Sequence, residues 1–318
     1  MKKIIKQTKD APVFKRDYVK KNRYVNQMGK PGSKMEIAFW KKLGGMDKNE
    51  GAWMNRILVA TPSTGLIRME WAMARYGQSM PTNWSKVDIV QWLSAYAPTG
   101  YMLADAENLI AKAVIEGNFE WFLSWEEDNI PPLDAFVRLN EYMTKGDVPL
   151  VSGLYFTKSH PPEPILYRGA GTGSYRDFKI GDLVWVDGIP FGFSLIHGSI
   201  IRALWDESEE YKVNDTVTRR VFANPSKSFG KPEDGAFGTT SGTSDLAFCQ
   251  RIINDGIFKK AGWPEYQKKK YPFLVDTNIY VKHITQAGVV YPLGGIPKEY
   301  LPLPLKPKKM IGGIVVSK

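Results

Sequence analysis

The chain has 318 residues, 43% hydrophobic and 24% charged, which is globular composition with length for one large domain or two ordinary ones. A mean hydropathy of −0.30 and the lack of any apolar run near about 18 residues argue against a membrane-spanning helix. One cysteine, Cys249, excludes an internal disulfide and a cysteine-built zinc site, and three histidines would leave a metal site dependent on carboxylates.

The net charge of +10 is unevenly placed. Residues 1–42 carry thirteen Lys and Arg against Asp10, Asp17 and Glu36, so the whole excess lies there. The other 276 residues balance at 30 against 30. The start, Met1-Lys2-Lys3-Ile4-Ile5-Lys6, returns to charge before an apolar stretch can form, so it does not read as a signal peptide. A basic arm with Phe14, Tyr18 and Tyr24 interleaved could track a phosphate backbone and stack on bases, or be a solvated tail that keeps the protein soluble.

Taken in order, Lys34 to Leu43 reads as a short helix, followed by a loop to Gly51. Arg56-Ile57-Leu58-Val59-Ala60 reads as a buried strand stopped by Thr61-Pro62-Ser63-Thr64-Gly65. Leu66 to Tyr76 reads as a helix and Val87 to Leu93 as a second strand. Tyr101 to Glu116 has helical apolar spacing closed by Gly117. A third strand, Glu120 to Trp125, runs into Glu126-Glu127-Asp128. Strand, helix, strand, helix, strand implies an α/β fold with a parallel, doubly wound sheet, in which ligands bind beyond the carboxyl ends of strands. Thr61-Pro62-Ser63 and the three acids should therefore face one crevice.

Pro131-Pro132 opens a helix to about Met143. Strands are expected at Val148 to Phe156, Pro164 to Tyr167, Leu183 to Val186 and Phe191 to Ile196, and a short helix at Ser199 to Trp205. Asp206 to Thr243 reads as one long polar loop. A helix at Ser244 to Asp255 and strands at Phe273 to Asp276 and Ile279 to His283 close the body before a Pro- and Lys-rich tail.

Three consecutive acids after a buried strand are costly unless they meet a cation, and oxygen ligands at this density suit magnesium, manganese or calcium. A solvated turn is the alternative. The run Phe122-Leu123-Ser124-Trp125-Glu126-Glu127-Asp128-Asn129-Ile130-Pro131-Pro132 resembles the strand and Asp-x-Asp segment of GT-A fold glycosyltransferases, family 2-like and of a phage or viral type. The resemblance implies a GT-A-like (Rossmann-like) mixed, mainly parallel sheet flanked by helices, with a basic N-terminal extension. Its implied domains are an extension at 1–52, a catalytic domain at 53–290 and a tail at 291–318. Residues 53–130 would form the nucleotide-sugar half and 131–290 the acceptor half.

Further segments resemble the family in the same order. Ile57 to Pro62 is similar to the first strand and its nucleotide-contacting turn. Ala106-Glu107-Asn108 resembles the helix before the acidic strand, and Asp187 to Ile196 the glycine-centred segment near donor and acceptor. Thr243-Ser244-Asp245 resembles the head of the helix that carries the catalytic base, with Ser244 where Glu is usual. Val281-Lys282-His283 resembles the closing strand whose His can complete a metal shell. The departure at the acidic segment is Glu126 where Asp is usual.

The resemblance thus implies Asp245 as catalytic base, and Thr61, Pro62, Asp88, Asn108, Glu127, Asp128 and Gly192 as nucleotide-sugar-binding residues. It also implies Glu126, Asp128 and His283 as ligands of a divalent metal, manganese or magnesium. Plainer readings stand beside these: Asp245 as a helix cap, His283 as a packed strand-end histidine, and Asp88 in a turn. His160 and His197 read as structural or exposed, and Cys249 as a small core residue.

The activity so implied is inverting, metal-dependent transfer of a sugar from a nucleotide sugar, a UDP-sugar first, to a hydroxyl. The arm favours a hydroxymethylated base in DNA as acceptor; the alternative is a saccharide or lipid-linked glycan, with the arm on an anionic membrane. A reading of another class is a non-catalytic polyanion-binding protein on the same scaffold. A Rossmann dehydrogenase is disfavoured, because no Gly-x-Gly-x-x-Gly follows the first strand. The expected setting is the cytoplasm, the host's if the protein is viral.

Overall fold

The computed structural model describes residues 53, 55–81, 96–169, 173–229, 238–302, 310–311 and 314–315. The chain divides into units of residues 1–54 and 55–318, and the second holds the central sheet and its helices. The helix expected at Lys34–Leu43, the strand expected at Val87–Leu93, Asp88 and the basic arm lie outside the described residues.

The central sheet has six strands: β1 (Asn55–Ala60), β2 (Phe119–Trp125), then, beyond a two-residue strand β3 (Asn129–Ile130), β4 (Leu150–Leu154), β5 (Leu183–Val186), β6 (Phe193–His197) and β7 (Phe273–Tyr280). Their spatial order is β1-β2-β6-β4-β7-β5. β1 pairs parallel with β2 and β4 with β7, while β6 runs antiparallel between β2 and β4, and β5 antiparallel on β7. The sheet is therefore mixed and mainly parallel in sense, with β1, β2, β4 and β7 pointing one way. β5 and β6 are near neighbours in sequence yet sit apart, β5 at an edge and β6 in the middle.

Every residue of β2 is buried, and its sequence is mostly apolar on both faces, as a strand covered on both sides requires, with Glu120 and Ser124 as its buried polar members. One face packs Leu58, Phe122 and Ile196 against α2 (Leu103–Glu116), α4 (Gly198–Asp206) and α5 (Ser244–Asn254), through Ile110, Ile200, Ile201 and Phe248. The opposite face packs Val59, Trp121, Leu123 and Trp125 against α1 (Met69–Tyr76) and α3 (Ala135–Lys145), through Trp71, Phe136 and Leu139. Between the first two strands Arg56 meets Glu120 at 2.5 Å, and its other guanidinium nitrogen donates to the Met143 carbonyl at 2.8 Å.

Several boundaries move. Pro131 and Pro132 precede α3 by a turn instead of opening it, because the chain first forms β3. β7 is one continuous strand through Tyr280, with a register irregularity after Asp276, where two strands were expected. The expected long loop contains two hairpins, Glu210–Val213 with Thr216–Arg219 and Ser226–Phe229 with Gly238–Ser241. Asn214, at φ 53°, makes the two-residue turn of the first, the left-handed conformation that asparagine tolerates. Past residue 291, Tyr300 is buried and stacks on Phe178 at 4.8 Å.

Candidate functional site

β2 and β3 are joined by the acidic turn, and backbone bonds fix it. The Glu126 N–H donates to the Gly192 carbonyl at 2.9 Å, and the Glu126 carbonyl accepts from Asn129 N–H at 3.2 Å and from Trp71 Nε1 at 2.9 Å. Beside β3 runs β8 (Lys282–Ile284), which pairs His283 with Asn129, while Ile284 N–H donates to the Asp128 carbonyl at 2.8 Å. Gly192 lies under this turn. A Cβ there would stand 2.5 Å from Asn129 Nδ2 and 2.7 Å from the Tyr155 hydroxyl. Its N–H donates to that hydroxyl at 2.7 Å. Gly192 thus shapes the site by close packing.

Glu127 ties the turn to the segment after β1. It accepts from the Ser63 hydroxyl at 2.6 Å, from the Thr64 N–H at 3.0 Å and from the Thr64 hydroxyl at 2.6 Å. The ends of β1 and β2 therefore share one crevice, as their order along the sheet requires. Thr61 and Pro62 are buried below the clamp; Thr61 N–H donates to the Tyr96 carbonyl at 3.1 Å, and its hydroxyl has no hydrogen-bond partner among the described residues.

Asp128 is held by two donors: Lys158 forms an ion pair with one oxygen, and Asn129 Nδ2 donates to the other at 2.8 Å. The His283 imidazole is buried edge-on against Tyr155, with Nδ1 at 2.6 Å from the Phe156 carbonyl, which makes Nδ1 the donor and leaves Nε2 as acceptor. Burial lowers its pKa, partly opposed by Asp128. Burial first, then Asp128 and Asp245, push the Glu126 carboxyl up to about 8. Glu126, Asp128 and His283 do not converge as a three-ligand set, and among the described residues no three His, Cys, Asp or Glu side chains do. In this arrangement the cation facing Asp128 is the Lys158 ammonium.

Asp245 stands in the first turn of α5. Its Oδ1 accepts from the Leu246 N–H at 2.7 Å, but the cap position is Thr243, whose side chain makes no capping hydrogen bond, so Asp245 does not cap the helix. Burial raises its pKa, and its charge is felt at Glu126 and at Tyr155, so it stands near the acidic turn.

Asn108 is not brought to the crevice rim. Its Nδ2 donates to the Tyr211 hydroxyl at 2.8 Å and the Phe222 carbonyl at 2.9 Å, and its Oδ1 accepts from Phe222 N–H at 2.8 Å. A side chain so committed anchors the hairpin region to α2. Its neighbour Glu107 is a residue that sequence reasoning misses. It is buried, its Oε2 has no hydrogen-bond partner among the described residues, and burial with the nearby charges of Glu126 and Asp245 raises its proton affinity. The available signal is its place at the head of the buried stripe Glu107, Ile110, Ala111, Val114, where an acid is out of pattern. Lys158 and Tyr155 are missed as well; nothing in the spacing marks either.

His197 caps α4, its ring nitrogen 2.7 Å from the Ser199 hydroxyl, and packs on Trp121. His160 is exposed. The Cys249 thiol is buried, hydrogen-bonded to the Ile189 carbonyl at 3.6 Å, and its pKa is raised by burial.

No family model matches the sequence, and no curated protein matches it. The fold is similar to that in the crystal structure of A197 from STIV, with a TM-score of 0.43 and 13% identity, over 73% of this chain and 86% of that one.

Proposed function

We propose that the protein is a glycosyltransferase that moves a sugar from a nucleoside-diphosphate donor to an acceptor hydroxyl with inversion. The observation that carries the reading is the grouping of Asp245 with the clamped acidic turn at the strand ends. It is supported by the order of the family-like segments along the chain. In this reading the 61–65 turn and Glu127 shape the nucleotide side of the crevice. The acceptor hydroxyl gives its proton to the Asp245 carboxylate while its oxygen attacks the anomeric carbon. The bond from that carbon to the diphosphate oxygen breaks, and the nucleoside diphosphate leaves with the electron pair. A buried aspartate of raised proton affinity is a better base than an exposed one. The Lys158 ammonium is the positive group at hand for the departing charge.

The acceptor in this reading is a hydroxymethylated DNA base, with the basic arm tracking phosphates. A lipid-linked glycan is the second reading, favoured by one observation. Met69, Met73 and Tyr76 recur along one side of α1 at 71%, 67% and 79% exposure, beside Leu66 at 74%. Such a stripe suits a membrane surface.

The test incubates the purified protein with a panel of nucleotide sugars, with manganese or with EDTA, and with hydroxymethylcytosine DNA or lipid-linked acceptors. Diphosphate release with a sugar-sized mass gain on DNA supports the first reading; gain on the lipid-linked acceptor supports the second. No release from any donor overturns the transferase reading in favour of a non-catalytic polyanion-binding protein.

A further inference from the structure

Along the sheet edge formed by β5, cations are held by aromatic rings. Trp185 of β5 pairs with Leu274 of β7, and the run Lys268-Lys269-Lys270-Tyr271 leads through Pro272 into β7. A short hairpin, Tyr167–Arg168 with Gly173–Ser174, is tied to the turn after β5 by the bond from Tyr167 N–H to the Gly188 carbonyl at 2.9 Å. Three separate stretches of chain thus meet at one edge.

The Arg168 guanidinium carbon stands 3.6 Å from the ring centre of Tyr175 and 4.5 Å from that of Tyr271. The Lys269 ammonium stands 3.6 Å from the ring centre of Tyr266 and 4.2 Å from that of Trp185. Lys270 stands 5.2 Å over Tyr271. Arg168 Nε donates to the Trp185 carbonyl at 3.0 Å, which joins the two stacks.

Elsewhere cations of the body meet carboxylates, as Arg138 meets Asp134, Arg220 meets Glu209 and Lys260 meets Glu207. Among the described residues, Arg168, Lys269 and Lys270 close no ion pair, and Glu265 and Asp147 act on Lys269 only from farther off. A ring holds a cation through its quadrupole, worth about 0.5–1 kcal/mol at an exposed site, and leaves the charge uncancelled. It also restricts a long side chain, so less freedom remains to be lost when an anion arrives. Protection of an open sheet edge explains the Arg168 bond to Trp185, but not two exposed lysines laid on rings. The two Nη atoms of Arg168 bond no other described residue, and such a fork matches a pair of phosphate oxygens.

β7 runs parallel to β2, so its start lies at the end of the sheet opposite the acidic turn. β5 is four strand positions from β2, about 19 Å at the usual spacing. The edge is therefore separate from the crevice.

We propose that this edge is a phosphate-binding surface that holds a nucleic acid by its backbone. Cations interleaved with rings are the pattern of such surfaces. A lipid surface fits less well, because of the large exposed apolar side chains among the described residues only Leu183 belongs to these segments. The proposal concerns binding alone and does not rest on the transferase reading.

The test measures fluorescence anisotropy of a labelled mixed-sequence DNA, single-stranded and duplex, with the full chain at several salt concentrations. Lys269→Gln and Lys270→Gln should each weaken binding and lower the slope of log K against log salt by about 0.7 on the single strand and 0.9 on the duplex. Lys212→Gln, an exposed lysine on the 210–219 hairpin, should leave the slope at the wild-type value. Arg168→Gln should repeat the lysine effect, with its thermal midpoint read alongside. Lys269 and Lys270 are exposed, so their variants test the surface even where Arg168→Gln loosens the edge. Wild-type slopes in both lysine variants overturn the proposal. An equal fall in Lys212→Gln does so too, since overall charge would then be the whole effect. Phosphatidylserine vesicles are the comparison: vesicle binding lost in the lysine variants with DNA binding intact overturns the nucleic-acid assignment in favour of lipid headgroups. No donor or turnover enters these readings, so failure here leaves the transferase reading untouched.

Discussion

Thr64 is bound twice by Glu127, once through its N–H at 3.0 Å and once through its hydroxyl at 2.6 Å. One carboxylate thereby holds the turn after the first strand against the turn after the second. Glu127→Ala should free residues 63–65 while costing little stability, about 1 kcal/mol or less, because these bonds are solvent-exposed. The nucleotide-sugar Kd should rise about 10-fold, a loss of about 1.4 kcal/mol. Calorimetric titration beside a denaturation curve checks both, and a wild-type Kd would separate the clamp from donor binding.

Gly192→Ala places a methyl group within 2.5 Å of Asn129 Nδ2 and 2.7 Å of the Tyr155 hydroxyl. Both neighbours are buried, so relief requires movement of the acidic turn. A destabilisation of about 1–3 kcal/mol is expected, the usual range for overpacking. Urea unfolding measures it; an unchanged midpoint would mean that the turn yields easily.

Asp128 and Lys158 should behave as a pair. Asp128→Asn leaves the ammonium without its counter-charge, and Lys158→Met leaves the carboxylate with Asn129 alone. Each should lower turnover by about 100-fold or more, in the range seen when one stabilising donor is lost. The double variant should be little worse than either single one, the signature of groups that act as a unit. Additive losses in a double-mutant cycle would show that the two act separately.

Stability should fall with rising pH on account of Glu126. Its carboxyl is held up to about 8 in the fold against an ordinary value of 4.5. The folded state keeps a proton that the unfolded chain releases, so this contribution is complete below 4.5 and is lost as pH rises through 8. Denaturation midpoints across that window should decline in the wild type and decline less in Glu126→Gln. Parallel pH profiles for the two proteins would show that Glu126 is already ionised at neutral pH.

Removing residues 1–42 takes away a net charge of +10. Binding to DNA should weaken, and the slope of log K against log salt should become shallower, as fewer phosphate contacts release counterions. Fluorescence anisotropy at several salt concentrations reads the slope; an unaltered slope would leave the arm with a solubilising role.

Much of the scaffold around the site is legible because burial leaves a plain mark. Ile57 to Ala60 is apolar throughout and Trp121 to Trp125 apolar but for Ser124, since both faces of the sheet are covered, and the acids that follow break the run at its end. The hairpins after α4 are hidden because their residues are polar. Only the Asn214-Asp215 turn, between Tyr-Lys-Val and Thr-Val-Thr, signals one of them. Asn108 and Glu107 are adjacent, and local spacing does not tell which of them faces the acids. That is settled by Phe222, which bonds Asn108 from more than a hundred positions away.

The antiparallel β6 lies between two parallel pairs, and the second of these joins Val151 to Leu274. Loop closure on that scale is slow, so such topologies fold late relative to helical ones. During synthesis, β1, β2 and the acidic turn leave the ribosome well before β7 and β8 exist to pair with β4 and Asn129. A nascent chain halted before Phe273 would expose one edge of β4 and lack the strand that pairs with Asn129. The crevice is thus completed only once β7 and β8 have emerged, and until then the open edge of β4 is the place where a chaperone, or a neighbouring unfinished chain, would pair first.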